Sequence, residues 1–554
     1  VVPVPQLDDG ELLRARCGGT TSSLPVRRPA RGGLREVVAR VITGGNVRHT
    51  HPPRIGVSVS SSAPDVRTTS GTVRGTVDHG VPAYLGMPYA APPFGERRMR
   101  PPVPAEPWAG VRDATSYGPT VPKGDYPPQY QPFLPEPVIA GEDCLNLNVW
   151  TPDPTATGLP VFVWIHGGSF MNGSGAVDVY RGAAFARDGV VCVTINYRLQ
   201  AEGFLFTDDG TANVGLLDQL AALQWVQQNI AAFGGDPTKV TVGGESAGAM
   251  SVTTLLSMPQ ARGLFRAAIT QSGAAAHTMD AGTSTKVTGL LAEQLGVEPT
   301  LAAISALPAE RVFEAAEKLT NEVQTAPDPA KWGELALSLL PFMPTVDGTV
   351  LARPPLEALA AGAGADVALL TGTTAEESRL FLVAPGVIGF VDEAAAVAGA
   401  AGYGVDGATA YATYRDAGDT PGDVLAAVVT DWFFTLPAVR VAEARQGGAP
   451  TWMYRCDHRS TAADGLMGAA HASEIPFVFD NLDSPDAAAI LGSDPPQDLA
   501  DRMHAAWVRF ISDGDPGWAP YEPTTRTTRV FGTASDAEQS LPDPIRLAFW
   551  DGVR

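Results

Sequence analysis

The chain has 554 residues, 44% of them hydrophobic and 18% charged, and its 60 acidic and 39 basic side chains leave a net charge of −21. This is the composition of a soluble globular protein able to bury a large core, and the negative excess argues against a nucleic-acid partner, whose phosphates it would repel. No run of about 18 apolar residues is evident, so no transmembrane helix is predicted, and the four cysteines (Cys17, Cys144, Cys192, Cys456) form neither a C-x-x-C pair nor a Cys/His cluster for zinc.

Residues 1–65 differ from the rest, with nine arginines against five acids and abundant Gly, Pro and Ser. No apolar h-region of about 7–15 residues follows the Arg pairs, so an irregular or disordered extension is expected rather than a targeting peptide. Residues 66–554 read as a single globular domain. Short apolar runs at 161–165 and 190–197 read as strands. Between 218 and 233, Leu220, Leu223, Val226 and Ile230 follow helical spacing until Gly234-Gly235 stops it. A buried strand at 239–242 leads into a helix at 249–256. Further strands are predicted at 267–269, 367–370 and 451–454, and the Ala/Gly-rich stretch 394–410 reads as helix and loop. Apolar strands alternating with helices indicate an α/β fold, a large and mostly parallel sheet covered on both faces.

Between the strand at 239–242 and its helix stands Gly244-Glu245-Ser246-Ala247-Gly248. A serine on so sharp a strand-to-helix turn can be a nucleophile, and small residues two positions to either side relieve the crowding. Attack on an ester carbonyl makes an alkoxide, which needs preorganised N–H donors. The amide of Ala247 supplies one. The glycine-rich run His166-Gly167-Gly168-Ser169-Phe170, just after the strand at 161–165, offers the amides of Gly168 and Ser169. Of the eight histidines, His471 is the expected base: it lies on a late loop among small residues. His458 is expected at the surface and His504 on a helix. The acid should follow the strand at 367–370, where Glu376 and Glu377 stand side by side, and spacing alone does not choose between them.

These residues, with others along 66–554, resemble the type-B carboxylesterases, the cholinesterase-like branch of the α/β-hydrolases, and among them the bacterial para-nitrobenzyl-esterase-like members. The matching segments include Gly71-Thr72-Val73-Arg74-Gly75, Leu85-Gly86-Met87-Pro88-Tyr89-Ala90, and Glu142-Asp143-Cys144-Leu145-Asn146-Leu147-Asn148-Val149. They continue through Asn213-Val214-Gly215-Leu216-Leu217-Asp218-Gln219 to the stretch holding His471, Glu474, Pro476, Val478 and Phe479. The resemblance implies an α/β-hydrolase fold and hydrolysis of small to medium carboxylic esters through an acyl-enzyme. It implies a small-molecule ester as partner and no cofactor or metal. It selects Glu377, five residues after Gly372, as the acid; Ser378 beside it departs from the glycine of many members. Cys144 matches a cysteine that many secreted relatives bridge upstream. Only Cys17 precedes it, so the bridge is expected to be missing, in line with a cytoplasmic enzyme. Glu245 and Ser272 match positions that support the nucleophile. Phe170, Phe204, Leu205, Trp332, Phe342 and Phe381 are apolar candidates for the pocket lining.

Overall fold

The computed structural model describes residues 62–532 and 536–553. Its first strand, Ser62–Arg67, crosses the boundary expected at 65/66; the rest of the expected extension, Cys17 included, lies outside the described residues.

Among the described residues, thirteen strands form one sheet. In chain order they start with β1 (Ser62–Arg67), β2 (Thr72–Asp78), β3 (Val81–Pro88), β4 (Val111–Asp113) and β5 (Asn146–Trp150). β6 (Leu159–Ile165), β7 (Val191–Ile195), β8 (Gly235–Glu245) and β9 (Ala267–Gln271) follow. A separate two-stranded sheet pairs β10 (Met279–Asp280) with β11 (Thr345–Val346). β12 (Ala368–Thr374), β13 (Thr451–Cys456), β14 (Thr527–Phe531) and β15 (Ala537–Ser540) complete the large sheet. Its spatial order is β1-β2-β3-β5-β7-β6-β8-β9-β12-β13-β14-β15, with β4 paired to β2.

The run from β7 to β14 is parallel throughout. β1, β2, β3 and β5 form an antiparallel edge, of which the sequence predicts only the hairpin around His79. β2 and β3 are joined by a two-residue turn in which His79 (φ 46°) and Gly80 (φ 86°) are both left-handed, the geometry that matches hairpin twist. Alternation along β6 divides the core. Val161, Val163 and Ile165 pack with Leu220, Leu223 and Val252, whereas Phe162 and Trp164 pack with Met503, Trp507 and Phe510. Both faces are therefore covered, as a parallel sheet requires.

Some boundaries differ from expectation. The helix placed at 218–233 runs from Val214 to Asn229 and ends in a 3-10 turn, Ile230–Phe233; Gly215 in its first turn masked the start. The strand placed at 239–242 is the middle of the longer β8. The stretch 394–410 forms two helices, Glu393–Ala401 and Gly407–Tyr414. One continuous helical stretch, Pro421–Ala444, is long and apolar enough to cross a membrane, which the sequence reading did not anticipate. It is 72% buried over its most apolar window, and Val424, Leu425 and Val428 pack against Tyr411 and Tyr414 in a core of their own. A π-turn, Asp431–Thr435, interrupts it.

The loops that leave the C-terminal ends of β6, β8, β12 and β13 carry the residues singled out above. In an open parallel sheet, that edge is where ligands bind.

Candidate active site

Ser246 sits between the last residue of β8 and the helix Ala247–Ser257, with φ 54° and ψ −124°. A non-glycine residue in this region is strained and persists only if its surroundings impose it. Two backbone bonds do so: Ser246 N donates to Gln271 O at 2.9 Å, and Met250 N donates to Ser246 O at 2.9 Å. The flanking glycines are demanded by β6. A Cβ on Gly248 would collide with the carbonyl of Ile165, and one on Gly244 would stand 2.6 Å from both that oxygen and the Gly248 carbonyl carbon.

The loop after β6 is also left-handed, at Gly168 (φ 105°), Ser169 (φ 58°) and Phe170 (φ 58°). It closes on itself through Met171 N and Asn172 N, which both donate to Gly168 O at 2.9 Å. Its backbone lies directly on the elbow: a Cβ at Gly167 would be 2.8 Å from Glu245 Oε2 and 3.0 Å from Ser246 Cβ. Among the described residues, the amides of Gly168, Ser169 and Ala247 make no loop or turn hydrogen bond to the backbone. His166 is buried and stacks on Tyr197, with ring centroids 4.5 Å apart, and Tyr197 Oη donates to His166 O at 2.9 Å. Burial lowers its pKa to about 3, so its ring is neutral.

Glu377 follows β12 and is fully buried. Its Oε1 accepts from Thr374 N at 2.8 Å, and its Oε2 is 2.7 Å from His471 Nδ1. A backbone bond, His471 N to Glu377 O at 3.2 Å, ties the two loops again. Glu376 points elsewhere: it accepts from Arg379 Nε at 2.7 Å and Ala469 N at 2.9 Å, and it pairs with Arg459. Of the two glutamates that spacing left open, Glu377 is the one that contacts His471. The other ring nitrogen of His471, Nε2, lies 3.1 Å from Glu245 Oε1. Among the described residues no hydrogen bond joins it to the Ser246 hydroxyl. The structure therefore brings Glu377 and His471 together, and lays the glycine loop on the elbow, with Nε2 resting on the residue before the serine. Catalytic hydrogen bonds in unliganded proteins often tighten only once substrate is bound.

The sequence profile of the carboxylesterase family matches residues 62–397 and 402–549. The chain belongs to the carboxylesterase family. It is a carboxylic ester hydrolase. The chain is 37% identical to the para-nitrobenzyl esterase of Bacillus subtilis (strain 168), over 84% of its own length and 94% of that enzyme. It is also 37% identical to the phenmedipham hydrolase of Pseudarthrobacter oxydans, over 82% and 90% of the two chains. A solved para-nitrobenzyl esterase structure superposes with TM-score 0.76 at 34% identity, covering 88% of this chain and 99% of that one. A Geobacillus stearothermophilus carboxylesterase gives TM-score 0.74 at 36% identity, with the same coverage. The fold is the α/β-hydrolase fold.

Three buried carboxyl groups surround the His471 imidazole of this esterase. Besides Glu377 and Glu245, Glu474 is buried three residues beyond His471, within hydrogen-bond reach of Gln271 Nε2 at 3.3 Å and Ser272 Oγ at 3.4 Å. Burial pushes Glu245 up to about 8, with Glu474 and Glu377 adding and His471 opposing. Burial alone would lower His471, but the charge of Glu245 and then the bond and charge of Glu377 carry it up to about 9. These two shifts compete, because a Glu245 that keeps its proton no longer charges the imidazole. Oε1 and Nε2 lie 3.1 Å apart, so the two groups titrate as a coupled pair. Both shifts are upward, so the acid limb of kcat/KM is expected above the ordinary histidine range. Glu245→Gln removes the charge that raises the imidazole. That limb is then expected to move to lower pH, measured with p-nitrophenyl acetate; an unmoved limb would discount the coupling.

Two aromatic neighbours complete the surroundings. Phe434 and Phe381 lie 4.8 and 5.3 Å from the His471 ring, centroid to centroid, and stack parallel to each other at 6.3 Å. Phe381, 37% exposed, was expected here. Phe434 was not: it sits on the π-turn, and nothing in its local sequence pattern marks it. Of the other lining candidates, Phe170, Phe204, Leu205, Trp332 and Phe342 are buried in the main core. His458, expected at the surface, is instead buried edge-on against Phe477, 4.9 Å away, because the chain after β13 turns inward. His504 lies on the helix Gln497–Asp513 as expected, with Nδ1 2.7 Å from Val478 O. Cys144, Cys192 and Cys456 are buried free thiols. Among the described residues no group of three or more His, Cys, Asp or Glu side chains is arranged to hold a metal ion.

Proposed function

We propose that Ser246 is the nucleophile of this esterase, His471 its general base and Glu377 the acid that orients the imidazole, with the amides of Gly168, Ser169 and Ala247 receiving the oxyanion. The observation that carries this reading is the 2.7 Å bond from Glu377 to His471 Nδ1, beside a serine held at φ 54°. That bond fixes the proton on Nδ1 and leaves Nε2 to accept. Substrate entry displaces Nε2 from Glu245 toward Ser246 Oγ. The hydroxyl proton passes to Nε2 as Oγ bonds to the ester carbonyl carbon and the carbonyl electron pair moves onto oxygen. The tetrahedral species collapses, His471 returns the proton to the leaving alcohol, and an acyl-enzyme remains. Water then repeats the sequence, releasing the carboxylic acid and regenerating the serine.

Phe381 and Phe434 beside the imidazole favour apolar acyl or alcohol groups of small to medium size. The name of one relative, para-nitrobenzyl esterase, points to an aryl-bearing substrate, and we extend that preference to this chain. The test is covalent. A fluorophosphonate probe is expected to label the protein once, with the mass increase on the peptide containing Ser246 and loss of p-nitrophenyl acetate hydrolysis in step. Labelling elsewhere, or hydrolysis that survives complete labelling, would overturn the assignment.

A further inference from the structure

We propose that the buried ion pair Lys123–Glu136 positions the oxyanion loop, and so acts on the transition state rather than on substrate binding; this rests on the function proposed above. The pair belongs to the long connection between β4 and β5, which is irregular from 114 to 145. Its side chains are 0% and 6% exposed. Lys123 Nζ donates to Gly173 O at 2.8 Å, while Gly173 N donates to Glu136 Oε2 at 2.9 Å. One ion pair therefore grips both backbone polar groups of a single glycine. A second tie runs beside it, from Asn172 Nδ2 to Gly124 O at 2.7 Å.

Asn172 and Gly173 form the seat of the oxyanion loop. A Cβ on Gly173 (φ 97°) would collide with the Gly167 carbonyl oxygen and the His166 ring, and one on Gly168 would collide with the Asn172 carbonyl. At such distances a shift of Asn172–Gly173 is passed directly to Gly167 and Gly168, and through them to the Gly168 and Ser169 amides. A buried ion pair is a poor source of stability, since the desolvation of its two charges consumes most of the attraction between them. Burial pulls Lys123 down and pushes Glu136 up, each opposed by the other's charge. What the pair supplies is direction: a donor and an acceptor aimed at one peptide segment that no strand or helix reinforces. Oxyanion donors are useful only where the charge develops, and a misplacement of about 1 Å can lower the rate by about a hundredfold.

The test uses the full-length protein and the double variant Lys123→Met/Glu136→Leu, which removes both charges and leaves neither buried alone. With p-nitrophenyl acetate, kcat is expected to fall by about tenfold to a hundredfold, while KM moves by less than about threefold. An aryl trifluoromethyl ketone reports the oxyanion: Ser246 Oγ adds to its carbonyl carbon, the electron pair settles on oxygen and the proton goes to His471. Its inhibition constant is expected to weaken in parallel with kcat/KM, and that of the unfluorinated methyl ketone, bound without addition, to stay put. Asn172→Ala cuts only the second tie and should show the same signature at smaller amplitude, which covers the case of a double variant that does not fold. An unchanged kcat and unchanged trifluoromethyl ketone inhibition in a folded variant would overturn the inference. So would equal weakening of both ketones, the mark of a collapsed pocket. A wild-type protein inactive toward the ester and indifferent to the trifluoromethyl ketone would instead bring down the catalytic assignment itself.

Discussion

Ser246→Ala is expected to lower kcat for p-nitrophenyl acetate by about 10⁴-fold or more, because no other group can take over the covalent step. The fold should hardly notice the change. Alanine keeps the backbone bonds from Ser246 N to Gln271 O and from Met250 N to Ser246 O, which pin the elbow. The replacement is no larger, so neither Gly167, packed against Ser246 Cβ, nor Gly244 is disturbed. The unfolding temperature is therefore expected to stay within about 2 °C of wild type, as for a substitution that disturbs no packing. Turnover above about one percent of wild type in a purified variant, well beyond what such a deletion leaves, would remove Ser246 from the mechanism. A large drop in unfolding temperature would show that the loss measured folding instead.

Glu377→Gln carries the second-largest expected loss, about 10³- to 10⁴-fold in kcat. The carboxylate accepts twice, from Thr374 N through Oε1 and from His471 Nδ1 through Oε2. A glutamine of the same shape has one acceptor oxygen. If that oxygen faces Nδ1, the amide group meets the Thr374 N–H, donor against donor. If it faces Thr374, the amide donates to Nδ1 and fixes the proton on Nε2, where a base needs its lone pair. Raising the pH repairs neither arrangement, so the deficit should persist across the whole kcat/KM profile. Glu376→Gln is the control: its partners are Arg379, Arg459 and Ala469 N, none of them in the proton path. A glutamine at 377 that retained more than about a tenth of wild-type activity, far above the residue left when the tautomer is wrong, would mean that the imidazole is held by something other than this carboxylate.

Much of this site could be read from the sequence for a definite reason. The elbow and the glycine loop are backbone devices, and backbone demands leave local marks: small residues at fixed offsets from a strand end. Ser246, Gly168, Ser169 and Ala247 are legible in that way, and the parallel strands that bear them are near-continuous apolar runs. The choice between Glu376 and Glu377 is not legible in their spacing, because they differ in what reaches them from 459, 469 and 471, all distant in sequence. Phe434 was hidden for a similar reason. A π-turn shifts the helical period by one residue, so a pattern search at 3.6 residues per turn gives no sign that the ring faces His471. Lys123 and Glu136 lie on a connection with no period at all, and their meeting at Gly173 is a fact of folding alone. Of the antiparallel edge only the hairpin around His79 was legible, because β2 and β3 mix polar with apolar residues and carry prolines and glycines.

Glu245, Glu377 and Glu474 crowd one imidazole, and each turnover creates one more carboxylate in the same enclosure. An ester enters as a neutral molecule, whereas the acid made from it is an anion beside buried carboxyl groups whose own ionisation burial already opposes. Release of the spent half of the substrate is therefore expected to be favoured, and simple carboxylate anions such as acetate are expected to be weak competitors for this enzyme, which product-inhibition constants would read directly.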